Sequence, residues 1–209
     1  MLILRADFIC LALILPLVTA FAQTESTKSS SSQATHHKRP TPAEAEGISD
    51  GIYRNPLFGF TYKIPFGWVD RTQDMQQGSE EGPSKVLLSI FQRPPEARGA
   101  DINSAVVIAA ESVSSYRGLK TVADYFGPLQ ELTIARGFKV IHEPYTFSLG
   151  PKTLVRGDFS KPRGSLTMYQ SSLVMLEKKV IISFTFIGGS EDGVTGLIEN
   201  LSFGANKRK

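Results

Sequence analysis

The sequence predicts an α+β fold: one antiparallel β-sheet of about six to seven strands, sandwiched by helices. Three observations carry that prediction. Apolar runs of strand length recur between Phe60 and Ile187, several of them alternating with polar residues. The last of these runs are joined by short turns, which connect antiparallel neighbours. Two segments, opening at Thr121 and Ser190, place apolar residues at helical spacing.

Length and composition describe an exported single domain. The chain has 209 residues, 41% hydrophobic and 21% charged, ordinary for one globular domain with an appendage. Residues 1–22 read as that appendage, a signal peptide. Arg5 is a weakly basic start, Phe8 to Val18 is an apolar run too short to span a bilayer, and Ala20-Phe21-Ala22 is a small-x-small cleavage site. Asp7 is untypical of such a leader, and an uncleaved anchor is the alternative. The single cysteine, Cys10, sits near the beginning of the apolar run, against lipidation, and leaves with the leader. The mature chain then has no disulfide, cysteine–metal site or cysteine nucleophile. About 160 residues can still bury a core large enough to hold the domain. The expected location is periplasmic or extracellular.

The net charge is +3, and losing Arg5 with Asp7 leaves it unchanged. Bases scattered along the chain argue against nucleic acid. The tight basic clusters are His36-His37-Lys38-Arg39 and Lys207-Arg208-Lys209. They read as solvated tails, with at most weak peripheral contact to an anionic membrane. Residues 23–47, rich in Ser, Thr, Gln and Pro and without a large apolar residue, read as a disordered linker. Residues 48–204 form the domain and 205–209 a basic tail.

Within the domain, Tyr53 to Trp68 is an aromatic stretch punctuated by Asn55-Pro56, Gly59 and Pro65-Phe66-Gly67. Phe60, Tyr62 and Ile64 alternate with Thr61 and Lys63 as a half-buried strand that Pro65 ends, and Trp68 is expected to cover the end of a core. A polar loop, Gln73 to Ser84, precedes strands at Val86–Phe91 and Ala105–Ala110; the latter, apolar on both faces, predicts a sheet covered on both sides. Thr121 and Asp124 form a capping box for a helix with the stripe Val122, Tyr125, Phe126, Leu129 and Leu132. Gly127-Pro128 predicts a kink or two short helices ending at Gly137. Strands follow at Lys139–Tyr145, Thr153–Phe159, Leu166–Leu176 and Val180–Ile187, the last expected to be central. Ser190 caps a closing helix with Glu191 and Asp192 in its first turn and the stripe Val194, Leu197, Ile198, Leu201.

The spacing of Tyr53, Asn55, Gly59, Phe60, Tyr62, Pro65, Gly67 and Trp68 resembles the opening of PsbP-like domains. The later helix, antiparallel meander and closing helix after Ser183 to Asp192 are similar too, so the resemblance covers about residues 50–203. It implies an α/β/α sandwich around an antiparallel sheet. It also implies a non-catalytic binding or assembly factor, as in an extrinsic photosystem II subunit or a nuclear-transport factor that binds a GTPase. A fold shared by such different roles does not name a partner.

The residues themselves point away from catalysis. His142 is the single histidine of the domain, beside Glu143 and before Pro144, and no G-x-S-x-G elbow precedes a helix. Metal-ligand spacings and a P-loop are missing, Glu80-Glu81 read as solvated, and Glu191 and Asp192 occupy the place of an anion after Gly188-Gly189-Ser190. No catalytic, metal or cofactor residue is assigned. The candidate is a partner-binding patch of Arg156, Asp158 and Tyr169 on one sheet face. If the hairpin closes in simple register, Arg156 lies opposite Tyr169 and Asp158 opposite Thr167. Such a set reads either as a contact surface or as an exposed cross-strand arrangement with Arg156 stacked on Tyr169. The function expected is an exported binding or assembly module acting on an unidentified protein partner. A periplasmic small-ligand or ion-binding protein is the alternative, and a hydrolase a more distant one.

Overall fold

In the computed structural model, residues 46–77, 84–116 and 118–204 are described. The segments read as a signal peptide and a basic tail, nearly all of the one read as a linker, and Glu80-Glu81 lie outside them. No helix among the described residues is long and apolar enough to cross a membrane.

The aromatic stretch builds a small sheet. Strands β1 (Gly47–Ser49), β2 (Ile52–Asn55) and β3 (Phe60–Lys63) pair antiparallel in sequence. Asn55 is fully buried and holds the tight connection between β2 and β3. Its Oδ1 accepts from the Phe58 amide at 3.0 Å, while its Nδ2 donates to the Tyr53 hydroxyl at 3.1 Å. Glu46, beside the start of β1, accepts from the same Tyr53 hydroxyl at 3.0 Å. Phe66 stands out fully exposed on the Pro65–Gly67 turn, whereas Trp68 is partly buried against the core, as the sequence predicts.

The main sheet has seven strands. To β4 (Val69–Asp70), β5 (Ser84–Phe91) and β6 (Ala105–Ser112) it adds β7 (Lys139–Leu149), β8 (Lys152–Arg163), β9 (Leu166–Glu177) and β10 (Val180–Gly188). The order is β4-β5-β6-β10-β9-β8-β7 and every pairing is antiparallel. β10 is central, as its two apolar faces require. The α+β class is therefore the one predicted, with one addition. Leu201, expected on the closing helix, lies instead in a short strand, β11 (Leu201–Phe203), that pairs with β3 and completes a four-stranded second sheet.

Among the described residues, three α-helices attach to this frame. Thr72–Gln77 forms α1 where a loop was expected; Thr72 Oγ1 accepts from the Ser89 amide at 2.9 Å, tying it to β5. α2 (Val122–Ala135) has the capping box at Thr121 and Asp124. It runs through Pro128 as one helix, since a proline after the first turn forfeits a single hydrogen bond while the buried stripe on either side holds the turns in place. That stripe is Tyr125, Phe126, Leu129 and Thr133. α3 (Glu191–Ile198) is capped by Ser190, whose Oγ accepts from the Gly193 amide at 3.0 Å.

The two faces of the main sheet carry two cores. On one, Tyr125, Phe126 and Leu129 of α2 pack on Phe159, Val174 and Ile181. Gly157 of β8 makes room there, because a Cβ on it would lie 2.7 Å from the Phe126 ring. On the other, the small sheet and α3 cover Leu88, Ile90, Val106, Ile108, Leu173, Met175, Ile182, Phe184 and Phe186. Phe60, Phe184 and Phe203 meet edge to face with ring centroids 5.2–6.2 Å apart. The fully buried Tyr62 donates its hydroxyl to the Leu197 carbonyl at 3.1 Å, joining the small sheet to α3.

Candidate functional site

The face covered by the small sheet and α3 is not covered to its end. Along β8 the inward residues run Leu154, Arg156, Asp158, and along β9 they run Met175, Leu173, Ser171, Tyr169. Both strands turn from apolar to polar in the same direction, and there a cleft of about 470 Å³ opens between β7, β8, β9 and the beginning of α3. Arg156, Asp158 and Tyr169 all line it.

The register differs from the simple one. Arg156 lies opposite Leu173, Asp158 opposite Ser171 and Ser160 opposite Tyr169. Strands β8 and β9 continue through Lys161-Pro162-Arg163, expected to be the turn, and close on Gly164-Ser165 with Gly164 at φ +63°. A two-residue loop opening with a left-handed glycine suits a hairpin's twist. Arg156 consequently does not stack on Tyr169. Its guanidinium sits 5.2 Å from the Phe147 ring centroid and 6.0 Å from that of Tyr145.

Asp158 is the hub. It accepts from Arg156 Nε at 2.9 Å and from the Ser171 hydroxyl on Oδ1, and from the Tyr145 hydroxyl at 3.3 Å on Oδ2; His142 Nδ1 lies 3.5 Å from Oδ2. Ser171 also accepts from an Arg156 terminal nitrogen at 3.2 Å. The Arg156 and Asp158 side chains are 14% and 9% exposed, so desolvation is offset by direct pairing and by hydrogen bonds to the remaining lone pairs. Partial burial and the Asp158 carboxylate push the Tyr145 hydroxyl above the usual tyrosine range. His142, 59% exposed, and Tyr145, 40% exposed, form the solvent side of the cluster.

His142 and Tyr145 are members that strand alternation hides, because residues three apart in a regular strand face opposite ways. Here the register of β7 against β8 slips between Val140 and His142 and again between His142 and Tyr145, across Pro144. Both side chains thereby reach the same carboxylate. A proline inside a strand run is the available signal, since it is tolerated on edge strands and at bulges, and β7 is both.

Chemically the cluster is closed on itself. Nucleophilic catalysis needs the histidine to take the serine's proton, with the carboxylate behind the histidine. In this cleft Asp158 lies between Ser171 and His142, and Ser171 is buried. Among the described residues no group of three or more His, Cys, Asp or Glu converges to hold a metal ion.

No family model matches the chain, and no curated relative matches it either. Similar solved structures include the cyanobacterial PsbP of Synechocystis, with a TM-score of 0.47 and 13% identity over 77% of this chain and 97% of that one. LpqN of Mycobacterium tuberculosis, involved in cell envelope biogenesis, has a TM-score of 0.39 and 14% identity over 68% and 82%. The Ran-binding protein Mog1p of Saccharomyces cerevisiae has a TM-score of 0.39 and 12% identity over 68% and 78%.

Proposed function

We propose that this chain is an exported, non-catalytic binding or assembly module that docks a protein partner at the cleft around Arg156, Asp158 and Tyr169. One observation carries the reading: a sheet face that is apolar and covered elsewhere becomes polar, aromatic and open at this end. Arginine and tyrosine are residue types that concentrate binding energy at interfaces, and the internal pairing of Arg156 holds it in one orientation. Export rests on the leader read from residues 1–22.

The volume of the cleft also suits a small ligand, which supports the alternative of a small-molecule carrier. The variant Tyr169→Ala decides between them and tests the proposal. Tyr169 is only partly buried at the margin of the core, so its removal costs the fold about 1 kcal/mol or less, while a docking residue loses about 2 kcal/mol of partner affinity. Thermal melts beside quantitative capture of the native partner read both. Unchanged affinity in a folded variant overturns the docking role, and a low-mass ligand retained by native purification favours the carrier.

A further inference from the structure

The hairpin of β8 and β9 runs on past the end of α2. Lys161 marks the crossing point: its ammonium donates to the Arg136 carbonyl at the helix C-terminus, at 2.5 Å, and lies 5.5 Å from the Phe138 ring centroid. Residues 162–167 beyond it are all exposed. Alternation puts Arg163 on the α2 face with Lys161. The register sets Leu166 opposite Arg163 and Met168 opposite Lys161, so all four share that face. Arg136 stands at the helix end, and Lys139 begins the edge strand β7, opposite Ser160. Four cations from α2, β7 and β8 thus collect at one corner, and none of them forms an ion pair among the described residues. On α2 and β7 the acids next in sequence are Glu131 and Glu143. Both lie more than a helical turn back from Arg136, Glu143 being held there by Gln130. Two exposed aliphatic side chains belong to the same corner, Ile134 from the last turn of α2 and Leu166 from β9.

We propose that this corner is a docking surface for an anionic phospholipid membrane. Headgroup phosphates pair with Arg136, Lys139 and Arg163, while Ile134 and Leu166 reach the acyl boundary. Lys161 is held by the helix end and adds positive potential. The chemistry favours lipid over other polyanions. A nucleic acid is read by aromatic stacking and base-edge contacts, and a peptide is held by a groove. A projecting hairpin that carries bases and aliphatic side chains suits a soft, flat surface instead. This goes beyond docking at the cleft and does not rest on it, since the cleft opens on the opposite face of the sheet. It is also distinct from contact through the basic tail. That tail follows Gly204, and the Phe203 carbonyl lies beside Gly150, at the other end of β7 from Lys139.

The test is flotation of the full mature chain with vesicles of phosphatidylglycerol and phosphatidylcholine in equal parts, beside vesicles of phosphatidylcholine alone. Binding to the mixed vesicles is expected, falling steeply with added salt, and binding to phosphatidylcholine should be about tenfold weaker or less. The double variant Lys139→Gln, Arg163→Gln is expected to weaken mixed-vesicle binding about tenfold or more. Its melt should be nearly unchanged, since both side chains are exposed. Leu166→Ser is expected to weaken binding severalfold while leaving the salt dependence alone. A chain ending at Gly204 is expected to bind as the mature chain does. Equal binding to the two kinds of vesicle, an unaffected double variant, or binding that disappears with the tail overturns the proposal. If the chain ignores vesicles but binds polyglutamate or an oligonucleotide through the same two bases, the lipid proposal falls in favour of an acidic macromolecule.

Discussion

The two halves of one sheet face differ in what lies over them. Under the small sheet and α3, β5, β6 and β10 present Leu88, Ile90, Val106, Ile108, Phe184 and Phe186, all fully buried. At the other end, β8 and β9 present Arg156, Asp158, Ser171 and Tyr169 to a cleft. The strands are continuous and the hydrogen-bond ladder is the same. What changes is the cover, and with it the local chemistry: dispersion and area burial hold the first half, whereas a paired charge and its hydrogen bonds hold the second. A structure can thus present a polar site at the margin of its core without weakening the sheet beneath.

Breaking the covered half should cost most. Phe184→Ala removes a ring at the centre of the aromatic triad and is expected to destabilise by about 3 to 5 kcal/mol in chemical denaturation. A loss comparable to that of Tyr169→Ala would show that the two halves are packed alike.

The cleft half has one comparably sensitive position. Asp158→Ala strands the Arg156 guanidinium in a nearly buried place, and about 2 to 3 kcal/mol is expected to be lost. Replacing both, as Arg156→Met with Asp158→Leu, should restore most of that stability, because the cost lies in the unpaired charge rather than in the missing pair. If the double variant is no better than the single one, Asp158 contributes through its other partners.

Gly157→Ala asks about the opposite face of the same strand. Its methyl group would overlap the fully buried Phe126 ring, and overpacking of this kind costs about 1 to 3 kcal/mol. The melting temperature should fall while the resonances of His142 and Tyr145 stay in place; if they move, the two faces are mechanically coupled.

The smallest effect is electrostatic. The Tyr145 hydroxyl titrates above its ordinary value, so its neutral form is favoured in the folded state. Its contribution to stability is complete below the unfolded pKa of about 10 and disappears as pH rises through the folded value. Asp158→Asn removes one of the causes, and carbon-13 spectra of the tyrosine ring should show its titration moving back down. No movement would mean that burial alone raises it.

Much of this was legible because it rests on local rules. Alternation in Phe60 to Ile64, the capping box at Thr121 and Asp124, the cap at Ser190 and the doubly apolar run of β10 each act within a few residues. Short connections then force antiparallel neighbours. Chain chemistry also marked out Arg156, Asp158 and Tyr169 as polar residues in strands otherwise suited to Val or Ile. Three things were decided only by the tertiary structure. The register came from a glycine turn two residues beyond the expected one, and periodicity cannot see it, because a shift of an even number of residues preserves every facing. The membership of His142 and Tyr145 came from bulges beside Pro144, which break the alternation that sequence reasoning relies on. The cleft itself came from where a second sheet ends. That sheet joins Leu201–Phe203 to Phe60–Lys63, from opposite ends of the domain, and a boundary of cover between such distant segments has no local signature.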